Sequence, residues 1–205
     1  YEAFSYVWGD RMHKSQIQLR GNPFAVSENL YLSLQNLRST EKDRILWIDA
    51  LCINQSNQRE RENQLPLMGS IYKEAGNVVV WLGESWENCD LAIEYVTQLG
   101  ENENLHINPA TSPSAEVRGY SMESVEIQGA LKDFINRPWW SRVWTVQEFV
   151  LANKSVFQCG QHQIDDERIR ESVRHFYRHQ QACCFKLGDP AQISLFDSLL
   201  VMESL

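Results

Sequence analysis

Within the stretch Arg137-Pro138-Trp139-Trp140-Ser141-Arg142-Val143-Trp144-Thr145-Val146-Gln147-Glu148, three tryptophans fall in six residues beside two arginines and a carboxylate. With Ser141 to 152 read as a helix, Val143, Val146 and Val150 form one apolar stripe. Trp144 and Glu148 then stand one turn apart on its flank. An indole one turn from a carboxylate can stack a flat ring and hold a sugar hydroxyl. The competing reading makes the tryptophans core and Glu148 a solvated helix residue, since glutamate is almost never buried without a partner. A second carboxylate, Asp49, interrupts the apolar run from Arg44 to Ile53. Burying it alone is costly, so it is either functional or paired with Arg59, Arg61 or Arg142.

Two further groups have metal or nucleophile chemistry open to them. His175, His179 and Cys183 are spaced i, i+4, i+8, with Cys184 adjacent, and ligands at one-turn spacing can bind zinc. A second half of such a site requires Cys159 or His162 to fold nearby, so the expectation is a polar helix face and no metal. Cys52 could act as a nucleophile, but its apolar neighbours read as the setting of an inert core thiol. Asn153-Lys154-Ser155 matches a glycosylation sequon by pattern only.

The elements that must position these residues alternate between strand and helix. Tyr1 to Trp8 reads as an aromatic strand ending at Gly9-Asp10. Phe24 to Leu37 reads as a helix through Leu30, Leu34 and Leu37, with Ser27 as its N-cap. Arg44 to Ile53 and Asn77 to Leu82 read as strands buried on both faces of a parallel sheet. Leu65, Met68, Tyr72 and Ala75 give helical spacing, with Pro66 tolerable only in the first turn. Helices are predicted at 87–99, 128–136 and 141–152, a strand at 155–158, and a mostly helical remainder. Residues 100–127 are polar and aperiodic and read as a variable inserted surface loop. The pattern predicts a single α/β domain over 1–205, with a parallel sheet flanked by helices. Ligands in such sheets sit beyond the carboxyl ends of the strands. That rule selects Tyr6, Trp8 and Asp10 after the first strand, Asp49, Asn54 and Gln55 around the second, and Gly83 and Glu84 after the third.

Composition narrows the partners. A net charge of −8 without a basic run disfavours nucleic acid and anionic membrane. No apolar run approaches the ~18 residues of a membrane span, and no signal peptide is visible. Five cysteines without framework spacing point to a reducing compartment, by default the cytoplasm. The chain starts at Tyr1 inside a strand, which suggests a piece of a longer protein with other modules.

Six motifs carry a family resemblance: Tyr-x-x-Phe-Ser-Tyr-x-Trp-Gly at 1–9, Leu-Trp-Ile-Asp-Ala-Leu-Cys-Ile-Asn-Gln at 46–55, Glu60-Arg61, Met68-x-x-Ile-Tyr-x-x-Ala, Val-Val-Trp-Leu-Gly ending at 83, and Arg-Pro-Trp-Trp-x-Arg-Val-Trp-x-Val-Gln-Glu at 137–148. In this order they resemble the fungal heterokaryon-incompatibility (HET) domain over most of residues 1–160. Pro66 departs from the pattern, inside what is expected to be the second helix. The resemblance implies a cell-death effector of non-self recognition. The HET domain is in turn similar to the Toll/interleukin-1 receptor (TIR) domain of innate immunity, a flavodoxin-like fold. Tyr1 to Tyr6 is similar to the TIR first-strand signature, and Trp47-Ile48-Asp49 to the end of its second strand. Trp144 to Glu148 keeps the Trp-x-x-x-Glu spacing of the helix that bears the catalytic glutamate in NAD-cleaving members. Thr145 stands where a cysteine is frequent. An insertion of some fifty residues, 84–136, precedes that helix.

What this second resemblance implies is an NAD+ glycohydrolase that releases nicotinamide and ADP-ribose and uses NAD+ as substrate, with no cofactor. Glu148 would be the catalytic carboxylate. Trp144, with Trp8 or Tyr6, would stack on nicotinamide or adenine, and Asp49 would orient a ribose. Arg142 or Arg11 would meet the pyrophosphate, although no Gly-rich phosphate cradle is present. The alternative is a non-catalytic, self-assembling signalling adaptor. Trp144, Glu148 and Asp49 favour the enzyme; the long insertion and the missing phosphate cradle favour the adaptor. Either way, self-association into a homo-oligomer is expected.

Overall fold

Alternation governs the first strand of the computed structural model, which describes residues 1–10, 12–142 and 145–184, with backbone alone at 145–147. In β1 (Glu2–Tyr6) Phe4 and Tyr6 belong to one face and Ala3 and Ser5 to the other, and all four are buried. The chain then forms a hairpin, β2 (Lys14–Leu19) and β3 (Asn22–Ser27), antiparallel about Arg20-Gly21. Both turn residues have positive φ, 52° and 79°, as two-residue hairpin turns demand. This corrects the predicted helix from Phe24: residues 24–27 belong to β3, and α1 is Glu28–Leu37. Ser27 is its N-cap as expected, accepting from the Leu30 amide at 3.4 Å.

The run from Arg44 to Ile53 is also corrected. Only β4 (Leu46–Trp47) pairs with β1, and it is the outer strand, preceded by Ile45 at 74% exposure. Asp49 opens a helical turn, α2 (Asp49–Cys52), and its side chain accepts the Ala50 amide at 2.7 Å. A carboxylate beside free amides at a helix start is stabilised by them, which is why the strand stops there. Next come α3 (Gln58–Gln64), a 3₁₀ turn at Leu65–Leu67 holding Pro66, and α4 (Met68–Glu74). Proline lacks an amide hydrogen, so it sits in the joint between two helices rather than inside one. The strand β5 (Asn77–Gly83) has five consecutive buried residues, Val78 to Leu82, as the double-faced pattern predicts.

After β5 come α5 (Cys89–Glu101), the short strands β6 (Glu116–Val117) and β7 (Tyr120–Ser121), and α6 (Val125–Ile135). A 3₁₀ turn at Pro138–Ser141 precedes α7 (Thr145–Val150) and β8 (Ser155–Cys159). The chain continues with β9 (His162–Asp165) and α8 (Asp166–Ala182). It divides into two compact units, Tyr1–Glu84 with Ser141–Gln161, and Ser85–Trp140 with His162–Leu205.

In the first unit β4, β1, β5 and β8 lie side by side and all parallel. Numbered by chain order, these four parallel strands run 2-1-3-4, the flavodoxin-like arrangement flanked by helices. Phe4, Tyr6, Leu30, Leu37, Ile48, Val79 and Trp81 form a buried cluster with the hairpin's Val26. Of the predicted valine stripe on α7, Val150 alone has a described side chain. Val150 is 37% exposed, while Phe149 is buried with its ring 5.4 Å from that of Phe157. Val143 lies outside the described residues. The aromatic ring buries more area than a valine and claims the inward face.

In the second unit α5 packs along α8, burying Leu91, Tyr95, Val96 and Leu99 of the one and Ile169, Val173 and Phe176 of the other. The segment 100–127, expected as a surface loop, contributes Ile107, Ala115, Val117 and Met122 to buried positions.

Candidate functional site

The carboxyl end of β1 is pinned before it reaches the site. Asn29 of α1 donates to the Val7 carbonyl and accepts from the Trp81 indole at 2.9 Å. Gly9 follows with φ of 74°, and a Cβ there would come within 3.2 Å of Asn29 Cβ. The chain is thereby bent so that Trp8 points toward α2, where its Nε1–H donates to Asp49 at 2.8 Å. The Tyr6 hydroxyl bonds the same carboxylate.

A cavity of about 710 Å³ opens beside this pair, within the first unit, and Trp8, Asp49, Arg61, Tyr72, Arg142 and Glu148 are among its walls. Glu148 reaches it from α7 and is 4% exposed. The Ser5 hydroxyl donates to Glu148 Oε2, and Arg142 Nη2 lies 3.5 Å from Oε1. Arg142 also donates to the Tyr6 carbonyl through Nη1, which fastens the cation to the end of β1. Glu148 is therefore buried, with a hydroxyl and a guanidinium as partners that offset the cost of burying its charge.

The two acids share an electrostatic environment. Burial pushes the Glu148 carboxyl above its usual range, Arg142 and Ser5 pull it down, and the Asp49 charge adds to the rise. Burial likewise raises Asp49, against the Trp8 indole, the Ala50 amide, Arg142 and Tyr6. Tyr72 is raised well above an ordinary phenol by burial and then by the Glu148 and Asp49 charges. Asp49, Glu62 and Glu148 line the cavity against Arg61 and Arg142, three carboxylates to two guanidinium groups. An aromatic-walled cavity with surplus negative charge suits a flat ligand carrying a positive centre.

Of the predicted site residues, Glu148, Asp49, Trp8, Tyr6 and Arg142 come together. Asp10 does not. Its carboxylate accepts the Met12 amide and pairs with His13 Nδ1, both at 2.8 Å, on the exposed side of the turn. Trp144 and Arg11 lie outside the described residues. Ser5 and Tyr72 escaped the sequence reading as site residues, and Arg61 entered it only as a possible partner of Asp49. Ser5 was detectable as the one small hydroxyl of β1, between Phe4 and Tyr6, whereas no local pattern announces Tyr72 as a cavity wall. Among the described residues no helix is long and apolar enough to cross a membrane.

The family described as heterokaryon incompatibility protein (HET) matches residues 1–148 of the chain. Heterokaryon incompatibility protein 6, OR allele, of Neurospora crassa is 28% identical over 212 residues, covering 87% of this chain and 31% of that protein. The chain thus spans under a third of this relative's length. No solved structure matches it. Because the match runs from the first strand through Glu148, the last residue of the site, the chain belongs to the heterokaryon incompatibility (HET) family.

Proposed function

We propose that the chain is a cell-death effector module of fungal non-self recognition, working in the cytoplasm as part of a larger protein. Its chemistry in this reading is hydrolysis of NAD+ to nicotinamide and ADP-ribose. Family membership supports the first half. The observation that carries the second is Glu148, a carboxylate buried at the wall of an aromatic cavity and within the field of Asp49.

In this reaction the bond between ribose and nicotinamide breaks heterolytically. Its electron pair goes to the ring nitrogen, which loses its positive charge, so no general acid is needed. The ribose carbon becomes oxocarbenium-like and takes the oxygen of water, whose proton is released. Glu148, as carboxylate, holds the ribose hydroxyls and faces the developing positive charge. Arg142 and Ser5 favour that ionised form against the burial that opposes it. Trp8 offers a stacking wall, Asp49 orients a ribose, and Arg142 is placed to meet the pyrophosphate. Trp144 takes its stacking role from the TIR resemblance. The test is nicotinamide release from NAD+ by the wild-type chain beside Glu148→Gln. Release by the former alone supports the reading; equal turnover by both, or none by either at high protein concentration, sinks it.

A second reading, a self-assembling adaptor, has its own observation: Ser5 and Arg142 already engage both oxygens of Glu148. Leu65 and Leu67, 56% and 50% exposed, offer apolar surface for association. Concentration-dependent assembly and cell killing that both survive Glu148→Gln, without nicotinamide release, would select it.

A further inference from the structure

The second unit brings together four side chains of another chemistry. His106 Nδ1, His179 Nδ1, Cys183 Sγ and Cys184 Sγ converge with all their ligand atoms within 4.8 Å of one another. We propose that His106, His179, Cys183 and Cys184 bind a structural zinc ion. The proposal is independent of the cavity and of NAD+ chemistry.

Distance geometry carries it. A tetrahedral zinc with ordinary Zn–S and Zn–N bonds sets its ligands about 3.8 Å apart for two sulfurs and about 3.5 Å for sulfur and nitrogen. Here the two Sγ atoms are 3.8 Å apart, and His106 Nδ1 is 3.3 Å from Cys183 Sγ and 3.5 Å from Cys184 Sγ. His179 Nδ1 is 3.2 Å from Cys183 Sγ. Hydrogen bonding alone explains this convergence poorly, since thiols are weak donors and weak acceptors. Two thiolates and two neutral imidazoles leave a zinc site without net charge, which suits a position where His179 and Cys184 are 8% and 1% exposed.

The surroundings prepare the ligands. His179 Nε2 lies 2.7 Å from the Glu103 carbonyl, so it donates there and leaves Nδ1 with a lone pair for a metal. Backbone carbonyls hold metal-ligating histidines in this way. His106 is fixed through its backbone, its amide donating to the Pro113 carbonyl and its carbonyl accepting from Ala115, each at 2.8 Å. Arg178 pairs with Glu103 at 2.6 Å, a second tie between α8 and the segment after α5. His175, one turn before His179, is committed elsewhere: its Nδ1 meets the Leu99 carbonyl at 2.6 Å. The partner missing from the sequence pattern of His179, Cys183 and Cys184 is thus His106, rather than Cys159 or His162.

Four protein ligands close the coordination sphere, the mark of a structural rather than a catalytic zinc. Binding replaces two S–H bonds by two Zn–S bonds and releases two protons to solvent. The ion would clamp the carboxyl end of α8 to the segment following α5.

The test is metal analysis of the reduced 205-residue chain, with Co²⁺ as a spectroscopic probe. About one zinc per chain is expected. Chelation should lower the melting temperature, and Co²⁺ loading should give tetrahedral d–d bands with sulfur-to-cobalt charge transfer. His106→Gln and Cys184→Ser should lose the metal, while His175→Gln keeps it. Should either ligand variant fail to fold, Co²⁺ titration of metal-stripped wild type decides alone. Zinc at trace level without a tetrahedral cobalt spectrum overturns the proposal. So does a Cys183–Cys184 disulfide in place of bound metal, or zinc retained by both ligand variants.

Discussion

The Arg142 guanidinium lies 3.5 Å from the Glu148 carboxylate, with side chains 23% and 6% exposed. Truncating a partner of a largely buried pair costs more than the pair itself contributes, because the surviving charge keeps its desolvation penalty. Arg142→Ala should destabilise the chain by about 3 kcal/mol in denaturant unfolding. Adding Glu148→Gln should restore part of that loss, since the stranded charge is gone. Strict additivity of the two substitutions would mean that the ions do not interact.

Glu148 also gives stability a pH signature. Its carboxyl is raised by burial, so the native state keeps a proton that the unfolded chain has shed. Stability from this group is fully present below the unfolded glutamate value of about 4.3 and is lost as pH rises through the raised native value. Glu148→Gln removes the dependence. The melting temperature of the variant minus that of wild type should therefore grow between pH 4 and neutrality. A difference that shrinks over that interval would reverse the sign of the shift.

Trp8 and Asp49 provide a test with a smaller change of shape. The indole hydrogen bond at 2.8 Å helps hold Asp49 ionised against burial. Trp8→Phe keeps an aromatic wall and deletes the donor, at a cost of about 1.5 kcal/mol for a bond to a charged acceptor. Under the proposed chemistry KM for NAD+ should rise more than kcat falls, because ring stacking survives and ribose orientation loosens. Unchanged steady-state constants would leave Trp8 structural.

How much of this was legible in the sequence depended on the range of the forces involved. The interior strand Asn77–Gly83 was readable because burial on both faces leaves an unbroken apolar run. Ser27 was readable as a cap because capping is a local hydrogen bond. The hairpin Lys14–Ser27 is hidden because the apolar residue Phe24 falls close before the leucine spacing of α1, although Arg20-Gly21 offers a two-residue turn. At Asp49 an apolar run concealed a change from strand to helix, which the carboxylate itself brings about through the Ala50 amide. Glu148 is legible through its spacing from Trp144, but the depth of its burial is not, because that depends on Ser5 and Arg142 meeting it from elsewhere in the fold. Ser5 with Glu148 and His106 with Cys183 are separated by 143 and 77 positions, so only the fold could reveal those pairings.

Among the described glycines of the second unit, Gly100 is the most closely enclosed. It lies in the last turn of α5, where a Cβ would come 2.3 Å from the Arg168 carbonyl oxygen and 3.1 Å from the Arg168 Cα. These are backbone atoms of α8, so no rotamer change can make room, and the two helices must separate. In an open helix, alanine in place of glycine would gain about 1 kcal/mol from helix propensity. Here overpacking opposes that gain, at about 1–3 kcal/mol or more for a backbone clash. Gly100→Ala should therefore lower stability, and Gly100→Val should lower it further. Gly129 is the internal control, a helical glycine in α6 with nothing within 4 Å of an added Cβ. Gly129→Ala should be neutral or stabilising in the same denaturant titration, and equal responses at the two glycines would contradict the close approach of α5 to α8.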